Sequence, residues 1–160
     1  MIELTATQDD ITKAKQMADE MGVIRNSIEK GGGSPAGFLA EIVVARHLGA
    51  IQFNTYQYDL ITLLGDTIDV KAKRTRVPPK PYYECSIAAY NTKQRCDYYA
   101  FCRVLNDLSV VWLLGIISKD EYFKKATKRL KGEYDSDNDF TFKVDCYNLP
   151  ISDLPNKLIK

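Results

Sequence analysis

Thr67-Ile68-Asp69-Val70-Lys71-Ala72-Lys73 decides how the chain is read. Successive side chains on a strand point to opposite faces, so Ile68, Val70 and Ala72 share one face while Asp69, Lys71 and Lys73 share the other. Asp69 and Lys71 therefore point the same way. Upstream, Gly65-Asp66 marks a turn, residues 59–64 read as an incoming strand and 51–56 as another before it. This hairpin carries a geometric condition. A two-residue loop at Gly65-Asp66 would set Thr62 opposite Asp69 and turn Asp59 to the far face, because opposed residues share a face. An odd-length loop, or a bulge near Asp59, brings Asp59 to the Asp69 side, and one of the two is expected.

Further upstream, Ile11, Ala14, Met17, Ala18, Met21, Ile24 and Ile28 recur at helical spacing and predict an added N-terminal amphipathic helix at about 7–29. Gly31-Gly32-Gly33 stops it. Ser34-Pro35 then supplies an N-cap and a first-turn proline for a second helix running to about Leu48, which Gly49 ends. That helix is apolar nearly all round, so it belongs against a sheet. Glu41 lies in its stripe with Phe38, Ala45 and Leu48. A carboxylate there loses hydration and must be paired, protonated or bound to a cation.

Downstream, strands are expected at 82–89, 98–105, 109–117 and 140–147, with a loop or short helix at 91–95. Ser118 and Glu121 form a capping box for a basic helix to about Leu130. No repeat or linker divides residues 1–160, which predicts one α/β domain with a mixed, mainly antiparallel sheet: a core at about 34–105, the N-terminal helix, and a strand-helix-strand extension at 106–160. The four cysteines form no CxxC pair and His47 stands alone, which argues against a zinc site and for free thiols in a reducing cytoplasm. No apolar run is long enough to span a bilayer, and the first residues carry no signal region.

A net charge of +1 excludes a protein that finds nucleic acid by bulk positive charge. It does not exclude a local basic face. Residues 71–103 hold eight basic groups against two acidic ones, among them Lys73, Arg74, Arg76, Lys80 and Arg95. A second run, Lys119 to Lys131, reads equally well as a solvated helix face.

Glu41 on the helix before the sheet, Asp59 after Tyr58, and Asp69-Val70-Lys71 on the next strand resemble the PD-(D/E)XK nuclease superfamily in residue type and order. The proline that names the motif is replaced by Tyr58. The resemblance implies a restriction-endonuclease-like mixed central sheet flanked by helices. It also implies a metal-dependent DNA endonuclease using Mg²⁺, with Mn²⁺ as substitute, whose ligands are Asp59, Asp69, the Val70 carbonyl and Glu41. Lys71 would orient and help deprotonate the attacking water. By the same resemblance Gln94, with Arg95 beside it, lies near the cleaved phosphate, and small members pair as homodimers. A Holliday-junction resolvase, an exonuclease and a non-catalytic DNA-binding relative are the alternatives. A phage or mobile element would suit so small a nuclease.

Overall fold

The computed structural model describes residues 1–21, 34–136 and 140–155. Its main sheet has six strands: β1 (Ile2–Thr5), β2 (Ile51–Gln52), β3 (Leu60–Ile61), β4 (Thr67–Thr75), β6 (Tyr98–Leu105) and β7 (Val110–Ser118), in the spatial order β1-β7-β6-β4-β3-β2. Only β4 and β6 run parallel. Parallel neighbours need a long crossover. Here it contains β5 (Glu84–Ala88), which leaves the main sheet and joins β8 (Thr127–Arg129) and β11 (Cys146–Pro150) in a second sheet. A small hairpin of β9 (Tyr134–Asp135) and β10 (Phe140–Thr141) completes the strands.

Helices α1 (Gln8–Met21) and α2 (Pro35–Leu48) cover one face. Leu39, Val43 and Val44 of α2 bury against Leu60, Ile68, Val70, Ala100, Cys102 and Val104. The second sheet and α3 (Lys119–Lys125) cover the other, where Cys85, Ile87, Tyr122 and Leu149 meet Tyr99, Phe101, Trp112 and Leu114. Burial on both faces explains why β6 and β7 are nearly continuous apolar runs. The sheet is thus flanked by helices on one side and by strands plus a short helix on the other. All four cysteines are buried and free. Among the described residues no helix is long and apolar enough to cross a membrane.

Local signals place α2 as expected. Ser34 Oγ accepts from Gly37 N, Pro35 opens the helix, and Gly49 closes it at φ 65°. The expected 7–28 helix is seen as α1; its continuation and the glycine stop lie outside the described residues. Several expectations are corrected. The 51–56 and 59–64 strands shrink to two residues each, because pairing stops where the chain bends toward the site. The helix after Ser118 ends at Lys125 rather than near Leu130, since Thr127–Arg129 pairs with β11. The single strand at 140–147 is two strands in different sheets. β1, unforeseen, pairs along β7, so the sheet draws strands from both sides of 34–105.

Candidate active site

The hairpin between β3 and β4 fixes the site's geometry. Thr62 N donates to Asp66 O at 2.9 Å and Gly65 N to Thr62 O at 3.0 Å, closing a tight loop of Leu63, Leu64 and Gly65. Gly65 has φ 91°, the conformation a three-residue hairpin loop requires at that point. The loop is odd, as the sequence condition demanded. Beyond it, Leu60 pairs with Ile68, yet Asp59 N also donates to Ile68 O at 2.9 Å. Two residues thus face one, the arrangement of a β-bulge. The cores agree: Leu60 packs under α2 while Tyr58 packs on the opposite side, which strict alternation forbids.

By alternation alone the bulge would cancel the offset of the odd loop; the Asp59 carboxylate is held instead at the edge of β4, where Oδ2 accepts the Val70 N–H at 2.7 Å in place of a strand partner. A residue's N–H and C=O leave a strand on the same edge, so the Val70 carbonyl opens on the edge that β3 has vacated. Asp69, 3 % exposed, sits on the opposite side of Val70's alternation, above Tyr99 of β6. Lys71 Nζ lies 2.6 Å from Asp69 Oδ2 and donates to Gln94 Oε1 at 3.1 Å. The buried Asp69 Oδ2 thus has the Lys71 ammonium as its partner. Glu41 reaches the same place from α2, and Gln52 Nε2 donates to its Oε2 at 3.0 Å.

These acids crowd one another. Burial, with Gln52 and Lys71 opposing and Asp69 adding to it, pushes Glu41 up to about 7. Burial and the charges of Glu41 and Asp69 push Asp59 up to about 9 against the Val70 N–H and Lys71. At neutral pH the cluster therefore holds a proton that ordinary carboxylates would have lost, as like charges in one low-dielectric place must. A divalent cation would take that proton's role. Among the described residues no three His, Cys, Asp or Glu side chains are grouped closely enough to cage an ion. Two carboxylates, a carbonyl and retained waters are instead what Mg²⁺ accepts.

Glu41, Asp59, Val70, Asp69, Lys71 and Gln94 are thus brought together. Gln94, 9 % exposed, bridges Lys71 and the Tyr56 carbonyl and so fixes the lysine from behind. The basic run is divided. Lys73 pairs in register with Arg103 on the Lys71 face, whereas Arg74 pairs with Val104 on the helix-covered face. Arg76 and Lys80 follow on the exposed bend, Lys80 5.7 Å from the Tyr82 ring, and Arg95 is exposed with its N–H on Gln57 Oε1. In the second basic run Lys125 and Arg129 pair with Glu121 and Glu133, and Lys119 Nζ donates to the Gln94 carbonyl. Gln52 was not foreseen. Gln52 carries a faint signal, a polar residue between Ile51 and Phe53 just after the helix that bears Glu41.

No protein-family model matches this chain and a search of curated proteins finds no similar one.

Proposed function

We propose that this protein is a metal-dependent phosphodiester hydrolase acting on DNA, with a PD-(D/E)XK-type site in a restriction-endonuclease-like sheet. The observation that carries the reading is the convergence of three buried acids, Glu41, Asp59 and Asp69, around the single cation Lys71. A fold gains no stability from massing acids this way, and cation binding is the simplest chemistry that compensates them.

Asp59, Asp69 and the Val70 carbonyl would hold Mg²⁺ or Mn²⁺, which supplies neutralisation of the phosphate charge and an acidified water. Lys71 presents a fixed positive charge where the phosphate oxygens gain negative charge, and its position is set before substrate arrives by Asp69 and Gln94. Gln52 occupies Glu41 Oε2, which leaves the other oxygen to orient a water or receive its proton. A carboxyl near 7 both takes and releases a proton at neutral pH. Gln94 and Gln52 act through the charged groups they hold. DNA is the proposed partner because the exposed bases Lys73, Arg76, Lys80 and Arg95 lie on the segments flanking these acids. Pairing into a homodimer would place two such sites on two strands.

Incubation with supercoiled plasmid and with branched DNA, in Mg²⁺, Mn²⁺ or EDTA, tests the proposal beside Asp69→Asn and Lys71→Ala. Metal-dependent nicking by the wild type alone is expected. Equal cleavage by all three proteins would sink the site. Tight, EDTA-insensitive binding with no cleavage would point to a DNA-binding protein instead.

A further inference from the structure

Past Lys71 the same face of β4 carries Lys73, and in register with it on β6 stands Arg103. Adjacent strands lie about 4.8 Å apart, so two cations have been set side by side. Each is held by neutral partners. Lys73 Nζ donates to Ser86 Oγ at 2.8 Å, while Arg103 Nη2 donates to the Glu84 carbonyl at 2.9 Å and its guanidinium lies 5.6 Å from the Tyr83 ring centre. Among the described residues neither forms an ion pair. The nearest acid that Lys73 feels is Glu84, whose Oε2 is taken by Asn148 Nδ2 at 2.7 Å and whose carboxyl burial pushes toward the protonated form. Desolvation draws both cations below their usual pKa, and repulsion by Arg103 adds to it for Lys73. Lys73 nonetheless stays exposed at the surface. Two immobilised like charges, Lys73 open to solvent and neither held in an ion pair among the described residues, are built to receive an anion.

We propose that Lys73, Arg103 and Ser86 form a clamp for the phosphate next to the one cleaved. Two residues along a strand advance by about 6.6 Å, on the order of the step between successive phosphates of an extended nucleic-acid strand. A substrate strand with one phosphate at Lys71 would therefore present the next at Lys73 and Arg103, running along β4 past the outer edge of β5. The ligand is a phosphodiester, and the inference rests on the hydrolase reading only for what happens at Lys71. Arg103 supplies a planar, donor-rich group that Tyr83 keeps flat, Lys73 a point charge, and Ser86 a hydroxyl between them.

The test is metal-free binding of a labelled oligonucleotide, followed by fluorescence anisotropy in EDTA across a KCl series. Lys73→Gln and Arg103→Gln are each expected to weaken binding several-fold and to flatten log K against log salt by about one unit. The double variant should flatten it by about one as well, since both cations serve a single phosphate. Arg103→Lys, which keeps the charge, should keep the slope. Unchanged slopes in both single variants, or a loss of about two units in the double, would overturn the clamp. So would an Arg103→Lys that behaves like Arg103→Gln, because the effect would then be structural. Cleavage in Mg²⁺ is measured in parallel. Flattened slopes without wild-type cleavage keep the clamp and remove the hydrolase, normal cleavage with unaltered slopes does the reverse, and a wild type that binds no DNA removes both.

Discussion

Asp10 and Asp69 are both more than nine-tenths buried, 8 % and 3 % exposed, and the protein treats them in opposite ways. Asp10 is surrounded by donors. Thr7 N donates to its Oδ2 at 2.8 Å, its own N–H takes Thr7 Oγ1, and Arg46 Nη1 reaches both oxygens at 2.7 and 2.6 Å. Arg46 then ties the arrangement to the Thr5 carbonyl, so one acid joins the end of β1, the start of α1 and the last turn of α2. Asp69 has Lys71 for a partner and two acids within electrostatic reach. Where a buried carboxylate serves the fold it is fully satisfied; where three meet without enough donors, the unsatisfied capacity is available for binding something else.

The largest expected effect breaks the second cluster. Asp69→Asn and Lys71→Ala should each lower metal-dependent cleavage by roughly 10³-fold or more, since the first removes charge that holds the cation and the second a positive charge aimed at the reacting phosphate. Asp10→Asn should leave that rate within a few-fold of wild type. A plasmid-nicking time course on the three proteins decides the matter, and comparable losses in all three would erase the distinction between the clusters.

Stability should show the reverse. Asp10→Ala removes a helix N-cap partner and a guanidinium contact at once, and because Arg46 is 49 % exposed the abandoned charge can rehydrate. A cost of about 1–3 kcal/mol follows, a fall in Tm of roughly 3–10 °C by thermal denaturation. Asp69→Asn should cost far less or nothing. The pH signs also differ. Burial raises the Asp10 carboxyl, but Arg46 and Thr7 outweigh it and hold it below its usual 3.8, so its stabilisation is present above that value and lost as pH falls below it.

How much of this the chain announces varies by region. The strand at Thr67 and the capped helix at Ser34 are legible because each follows from local rules, alternation in one and Ser-Pro followed by a closing glycine in the other. Glu41, Asp69 and Lys71 stand out as polar residues in apolar stripes. Asp59 is legible only as a condition on loop length. The structure has both the odd, glycine-closed loop and the bulge that were the two alternatives, and Asp59 reaches the site along the edge of β4 at the Val70 N–H. Arg103 and Gln52 are not legible, since their meaning comes from neighbours 30 and 11 residues away in the sequence. The split of Lys73 from Arg74 follows from alternation once the strand is known to run through Thr75.

Cation binding gives a smaller, additive test. A Mg²⁺ or Mn²⁺ concentration ten times its dissociation constant should stabilise the wild type by about 1.4 kcal/mol, raising Tm by roughly 3–6 °C. Asp69→Asn should show no such rise, while Asp10→Asn, though less stable throughout, should show all of it. Equal shifts in all three would place the cation elsewhere.

The smallest effect is the most discriminating. Without metal, Asp59 is raised to about 9 and Glu41 to about 7, so the folded protein binds protons that the unfolded chain releases near the usual values of 3.8 and 4.5. Stability is therefore greatest below those values and declines as pH rises through 7 and toward 9, the opposite slope to that of Asp10. Asp59→Asn keeps an oxygen for the Val70 N–H and cannot ionise. It should match the wild type in acid, where Asp59 is a neutral carboxyl in both states, and exceed it increasingly as pH rises toward 9, read as a widening gap in Tm. A gain that is flat with pH would mean that packing, and not carboxylate crowding, limits the metal-free protein. With saturating Mg²⁺ the order should invert, since the charge that destabilises the empty site is the one a bound cation needs.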